Sequence, residues 1–246
     1  MLPVVADGTW THGPLVGFDI ETTGLDCESD EPVSFAFVDF SGGERRAIEV
    51  GFVLPARAIS RGAAAVHGLT RDRLVSLGAM DLDQAARRIA ARLALLSEAG
   101  TPVVGCNLPY DLTIVDRVLS RLDPPASLRD AGWDGPLFDV LVLDRGLDAD
   151  FAERPVRRLD ALCAHYGLAA PRHTAESDAE AAVRVLLAQA ERFGQFASRS
   201  IRDLQEEQAT WHASWCDAFA ERRAHGQLTL FSGSEPWPYA ERVAAR

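Results

Sequence analysis

Apolar residues alternate along residues 15–20, where Val16, Phe18 and Ile20 share one side, and a period of two predicts a buried strand. Turn-formers follow. Residues 33–40 and 47–54 then predict two more strands, with Ser41-Gly42-Gly43 between them as a hairpin turn. Helical spacing takes over at 59–66, and again at 82–96, where Leu82, Ala85, Ala86, Ile89, Leu93 and Leu96 line one side. Thr101-Pro102 opens a short apolar strand at 103–106, and residues 111–122 predict an amphipathic helix stopped by Asp123-Pro124-Pro125. Residues 138–143 predict a fifth strand, 159–166 a helix closed by Gly167, and 178–193 a strongly apolar helix. Three strands joined by short turns, then strands alternating with helices, predict an α/β protein: a mixed sheet covered by helices. After Gly194 the character changes: 196–224 predict a charged, aromatic-bearing helix, and the last 20 or so residues, rich in Gly, Ser and Pro, an extended tail. The expected division is therefore a domain over 1–193 and a helix with a flexible tail over 194–246.

Composition narrows the classes. With 246 residues, 47% hydrophobic and 25% charged, the chain suits one globular domain with some residues to spare, and excludes wholesale disorder or a coiled-coil rod. No apolar run approaches the roughly 18 to 20 residues of a membrane helix. The first residues lack a basic n-region and an h-region, so no membrane role and a cytoplasmic location are expected. The net charge of −11 argues against a long duplex spread across the surface, since phosphate contacts are mainly electrostatic, but allows a short or single-stranded end held in one local site. Cys27, Cys106, Cys163 and Cys216 are far apart and make no zinc spacing; free thiols are expected.

The acids carry the chemistry. Asp19 and Glu21 stand two apart at the end of the first strand, so both carboxylates project from one face. Two like charges that close are costly unless a cation holds them. Thr22-Thr23-Gly24-Leu25 follows, with backbone amides and a glycine where a substrate can come close. Asp111 and Asp178 each open a helix, where an aspartate is also a plain N-terminal residue, and His173 lies in a loop five residues before Asp178. Asp139 and Asp144, at the ends of the fifth strand, read as ordinary end residues, with Asp139 near the expected active face. His67 reads as structural, and Trp211 and Trp215, four apart, as packing for the late helix.

Taken together, Asp19-Ile20-Glu21-Thr22-Thr23-Gly24-Leu25, then Asn107-x-x-Tyr110-Asp111, then His173-x4-Asp178 resembles the DEDDh branch of the DnaQ-like 3′→5′ exonucleases. That family includes the proofreading epsilon subunit of bacterial DNA polymerase III, ribonuclease T and oligoribonuclease. Val66-His67-Gly68-Leu69-Thr70 is similar to the family's element between the first two motifs, and the resemblance runs from about Leu15 to Phe193. One departure is Cys106-Asn107 where many members carry His-Asn, which bears on substrate packing and not on the acids.

The resemblance implies a ribonuclease H-like fold, a five-stranded mixed sheet with helices around it, and two-metal phosphodiester hydrolysis. Four oxygen ligands suit two Mg²⁺ or Mn²⁺ ions better than Zn²⁺, and two ions about 3.5–4 Å apart would stabilise the attacking and leaving oxygens of an in-line displacement. It implies that Asp19 bridges both ions, that Glu21, Asp178 and Asp111 complete the shells, and that His173 is the general base; an unperturbed imidazole titrates near pH 6.5. Thr22, Thr23, Gly24, Leu25, Asn107 and Tyr110 would meet the terminal nucleotide of a single-stranded 3′ end, releasing 5′-mononucleotides. The expected function is a proofreading or repair exonuclease on DNA. An exoribonuclease, or a non-catalytic nucleic-acid or clamp-binding module, remains open, because contacts to the 2′-OH decide DNA against RNA. Finally, Gln227-Leu228-Thr229-Leu230-Phe231 resembles the peptide by which bacterial replication and repair proteins dock on the sliding clamp, with Gln227, Leu228, Leu230 and Phe231 as contacts; the alternative is that these residues fold back on the protein's own core.

Overall fold

The computed structural model describes residues 10–148, 158–224 and 237–239. Its centre is a sheet in the order β4-β3-β2-β1-β5-β6. β1 (Pro14–Thr22), β2 (Pro32–Ser41) and β3 (Glu44–Leu54) form an antiparallel meander, while β5 (Val103–Gly105) lies parallel to β1, β6 (Leu137–Asp139) parallel to β5, and β4 (Met80–Asp81) parallel to β3. Gly42 and Gly43 both take positive φ, 64° and 76°, as the two-residue β2–β3 turn requires.

The two sides of β1 feed two different cores. Val16, Phe18 and Ile20 pack with Phe35, Phe37 and Val103 against α3 (Leu82–Glu98) and α4 (Leu108–Ser120). Leu15, with Ala36, Val38 and Val104, faces α7 (Ala175–Arg192). Side chains alternate along a strand, so Gly17, Asp19 and Glu21 share the α7 side with Leu15. Gly17 is the point of closest approach: a Cβ there would stand 2.3 Å from the carbonyl oxygen of Ala179. A glycine on the strand thus lets α7 press onto the sheet one residue beyond Asp178.

Two expectations change. The sheet has six strands among the described residues, not five, because the two-residue β4 adds a short edge; α1 (Arg61–His67) and α2 (Arg71–Ser76), the second also too short for a periodicity to show, precede it. The run 138–143 is not one strand. β6 ends at Asp139, whose carboxylate accepts from the Leu141 and Val142 N–H groups and starts α5 (Val140–Leu147). An apolar run of that length has no period that separates a strand from a buried helix. The C-terminal helix packs onto the sheet. α6 (Leu159–His165) leads into α7, a short α8 (Gly194–Ala197) follows, and α9 (Ile201–Ala224) is fastened to the open edge of β6. Gln205 Oε1 accepts from the Leu137 N–H at 3.0 Å, Gln208 Oε1 accepts from the Asp139 N–H at 2.8 Å, and both amides donate to the Leu137 carbonyl. Two glutamines thereby close a strand edge that would otherwise be unpaired. Trp211 lies on Gly146 and Trp215 on the Arg145 guanidinium at 3.7 Å, the packing role their spacing predicts. Within the expected tail, Tyr239 is 3% exposed, its ring 5.6 Å from that of Trp133 in the core on the α3–α4 side. Gln227–Phe231 lies outside the described residues. No helix among the described residues is long and apolar enough to cross a membrane.

Candidate active site

β1 delivers the first two acids. Asp19 and Glu21 leave the strand on the α7 side, and Asp178, in the first turn of α7, meets them there; one ligand atom from each lies within 4.8 Å of the others. Asp111 arrives from the opposite direction, in the first turn of α4, which follows β5. β5 pairs with β1 only at Val16 and Gly17. Past that point the two strands part, and the Ile20 N–H faces the Asp111 carboxylate. The acids therefore surround the crevice beyond the carboxyl ends of parallel strands, the usual place for a site in an open sheet.

The electrostatics match a cluster built for cations. Burial pushes the Asp19 carboxyl well above the usual carboxylate range, and the charges of Asp111, Asp178 and Glu21 push it further. Glu21 is pushed up to about 8, by burial first and then by Asp178. Burial also raises Asp111, against the opposing effect of the Ile20 N–H and its own N–H. Asp178 is raised by burial and held back by His173. His173 is exposed, at φ 55° in the turn before α7, with its charge felt by Asp178. Asp178 Oδ1 is buried and has no hydrogen-bond partner among the described residues. An orphaned carboxylate oxygen among three other carboxylates is what a divalent ion would complete, and an all-oxygen donor set fits a hard cation such as Mg²⁺ or Mn²⁺.

Beside the acids, residues 22–31 form a tightly tied loop. The Thr22 hydroxyl and the Tyr110 hydroxyl both donate to the Gly24 carbonyl at 2.7 Å. Arg117 of α4 forks onto both carboxylate oxygens of Glu28, at 2.7 and 3.0 Å, and Arg121 donates to the Glu28 carbonyl. Leu25 is left 79% exposed at the tip. Thr23 differs from expectation: it is buried, and its hydroxyl donates to Asp30 at 2.5 Å and accepts from the Glu31 N–H, so it builds the loop from inside instead of facing a nucleotide. Tyr110 ties α4 to the same loop. His67 Nδ1 accepts from the Leu69 N–H, which leaves Nε2–H to donate to the Thr22 carbonyl at 3.2 Å; burial lowers its pKa, keeping it neutral in this bracing role.

Two residues that shape the site were given no role by the pattern, although Asp139 was placed near the active face. Gly17 seats α7, and the signal was present in a glycine on the same face as the two acids. Asp139 is wholly buried and accepts from the N–H groups of Asn107 at 3.1 Å and Leu108 at 2.9 Å, besides those of α5. A lone aspartate after an apolar pair carries no mark of that task.

Comparison with known proteins agrees with this geometry. A family model described as "Exonuclease" matches residues 16–186. No curated protein sequence matches. Among solved structures, exonuclease I from Methylocaldum szegediense superposes with a TM-score of 0.62 at 23% identity, over 75% of this chain and 42% of that one. E. coli exonuclease I in complex with a dT13 oligonucleotide does so with a TM-score of 0.61 at 20% identity, over 75% and 43%. An exonuclease I bound to an SSB C-terminal peptide gives a TM-score of 0.61 at 20% identity, over 76% and 43%. The fold is thus the ribonuclease H-like fold of exonucleases, and the chain spans about two fifths of the length of the solved structures it matches.

Proposed function

We propose that this protein, which belongs to the RNase T family of exonucleases, is a divalent-metal-dependent 3′→5′ exonuclease that shortens single-stranded DNA and releases 5′-mononucleotides. One observation carries the reading: Asp19, Glu21 and Asp178 converge within 4.8 Å, with Asp111 near enough to raise Asp19 and with a buried Asp178 oxygen that has no hydrogen-bond partner among the described residues.

Asp19, Glu21, Asp111 and Asp178 would hold two Mg²⁺ or Mn²⁺ ions, which when bound supply positive charge to the oxygens of an in-line displacement at phosphorus. His173, exposed beside Asp178, takes a proton from the attacking water as its oxygen bonds to phosphorus. The bond from phosphorus to the 3′ oxygen of the penultimate nucleotide breaks, leaving a new 3′-hydroxyl and a 5′-mononucleotide. Leu25 offers an apolar surface to the terminal base, and the Gly24 backbone, fixed by Thr22 and Tyr110, keeps that surface at a constant distance from the acids. Asn107, at the turn into α4, borders the same crevice.

Single-stranded DNA is preferred as substrate because a −11 chain suits a short local contact, and because the exonuclease I neighbours include a dT13 complex. A role in proofreading or repair accords with Gln227–Phe231, a peptide of the clamp-docking type in which Leu230 and Phe231 would fill an apolar pocket. The test uses 5′-labelled single-stranded DNA, duplex DNA and RNA with Mg²⁺, Mn²⁺ or EDTA. Stepwise shortening of single-stranded DNA, abolished by EDTA and by Asp178→Ala, is expected. Shortening of RNA alone would move the substrate assignment to RNA, and binding without shortening would remove the enzymatic reading. For the clamp, Leu230→Ala with Phe231→Ala should abolish pull-down by a purified bacterial sliding clamp; unchanged pull-down refutes that contact.

A further inference from the structure

We infer that Asp139 is a positioning residue for Asp111: one buried carboxylate supplies, from a neighbouring strand, the N-terminal cap that α4 lacks, and so sets where the fourth acid stands. The inference rests on the reading of the acid cluster as a nuclease centre.

The first turn of a helix leaves backbone N–H groups without helical partners, and a side chain normally takes at least one. α4 does not do this for itself. Asn107 sits at its N-cap in the left-handed conformation, φ 69°, with no side-chain cap bond. Pro109 has no N–H to satisfy, and the Tyr110 N–H returns to the Asn107 carbonyl at 3.0 Å. What remains are the N–H groups of Asn107 and Leu108, both pointing inward, and Asp139 takes both: Oδ1 accepts from Asn107 and Oδ2 from Leu108. The same Oδ1 accepts from Leu141 and Val142 and so caps α5. The backbone of Asp139 is held in turn by Gln208 of α9, whose side-chain oxygen accepts its N–H at 2.8 Å. Asp139 is thus the fixed point joining β6, α5, α9 and the turn of α4, and Asp111 lies three residues past Leu108 on that turn. An uncompensated left-handed residue at the start of α4 would relax if the carboxylate let go, and the first turn carrying Tyr110 and Asp111 would shift or fray.

The bonding pattern separates this role from general stability. In Asp139→Asn the amide oxygen can keep the Oδ1 bonds, while the NH₂ takes the place of Oδ2 and opposes the Leu108 N–H; the α5 cap and the Asn107 bond survive, and the Leu108 bond of α4 is lost. Asp139→Ser keeps a good cap for α5 and is too short to reach α4. Asp144→Asn serves as the control: Asp144 is equally buried on α5, but it accepts from the Tyr166 hydroxyl, away from the acids.

The experiment measures Mn²⁺ binding by electron paramagnetic resonance, the Mn²⁺ dependence of the rate on single-stranded DNA, kcat and KM, and the circular dichroism spectrum. Both Asp139 variants should stay folded, bind Mn²⁺ about 10- to 100-fold more weakly, as loss of a group that orients a ligand does, and regain rate at high Mn²⁺, with KM for DNA changed less than kcat at low Mn²⁺. Asp144→Asn should keep wild-type Mn²⁺ affinity. Asp139 variants that bind Mn²⁺ like wild type, or lose affinity only as far as Asp144→Asn does, overturn the inference. So does failure of both Asp139 variants to fold, since Asp139 would then serve the whole domain. A wild-type protein that neither binds Mn²⁺ nor shortens DNA sinks the nuclease reading itself.

Discussion

Holding four carboxylates together has a measurable cost in the metal-free protein, and the cost has a sign. Glu21 is the clearest case, since its carboxyl moves from an ordinary 4.5 to about 8, with burial as the larger cause. That displacement corresponds to about 5 kcal/mol of preference for the protonated form at the limit. Below pH 4.5 the group is protonated both folded and unfolded, and its contribution is fully present. Between 4.5 and about 8 the folded protein keeps a proton the unfolded chain has released, so stability falls as pH rises, by up to about 1.4 kcal/mol per pH unit. Above about 8 the slope ends. Glu21 is half-buried, so water screens part of the effect, and about 2 kcal/mol should be lost from Glu21 between pH 6 and pH 8. Asp19, Asp111 and Asp178 are raised too, and each adds in the same direction.

Divalent ions held by these acids would reverse the balance. They bind the deprotonated form and release protons, and at a hundred times their dissociation constant they add about 2.7 kcal/mol. Urea denaturation at pH 6, 7 and 8, in EDTA and in saturating Mn²⁺, tests this. In EDTA the midpoint should fall with pH; in Mn²⁺ it should stay level or rise. Glu21→Gln, which cannot ionise, should flatten the EDTA curve. Parallel pH curves with and without Mn²⁺, or a Glu21→Gln protein that keeps the full slope, would refute the reasoning.

Other perturbations isolate other parts. Gly17→Ala puts a Cβ against the Ala179 backbone, which must retreat; stability should drop by about 1–3 kcal/mol or more in urea, and Mn²⁺ affinity should fall with it as Asp178 moves away. Glu28→Gln weakens the fork with Arg117 that ties the loop bearing Leu25 to α4; a loss near 1 kcal/mol predicts a KM for single-stranded DNA up by about fivefold, with kcat little changed. Tyr239→Ala empties the slot beside Trp133 and should lower stability by about 3 kcal/mol, whereas a residue in a free tail would cost nothing measurable.

The meander and the long helices were legible because their patterns are long enough to count: β1 alternates, β2 and β3 are apolar-rich runs joined at Gly42-Gly43, which admits few turns, and α3 repeats every three to four residues. Asp19 and Glu21 were legible as a pair from spacing, since i and i+2 on a strand share a face, whereas Asp111 and Asp178 joined them only through the family resemblance. What stayed hidden is of a different kind. The strand–helix break at Asp139 depends on which backbone N–H groups its carboxylate reaches, two of them 31 and 32 residues away. Thr23 looks available in the motif and is spent inside the loop. The glutamines that close the β6 edge sit on a charged helix, where nothing in the sequence distinguishes them from solvated neighbours. Pattern reports period and polarity, while these roles depend on partners far along the chain.

The address of the site and its electrostatic cost have one topological origin. β1 is hydrogen-bonded to β2 along its length, from Pro14 to Thr22, but to β5 at only two residues. Had β5 continued alongside, the Ile20 N–H would be spent in a ladder and Asp111 would have no route to the strand. Because β5 ends at Gly105, where a Cβ would fall 2.9 Å from the Phe18 carbonyl oxygen, the chain turns into α4 at once and lowers Asp111 into the gap. The gap gives the acid its amide, and it brings the Asp111 charge to bear on Asp19, whose carboxyl it raises. A sheet that splits after Gly17 therefore creates both the crevice in which the acids meet and part of the repulsion between them.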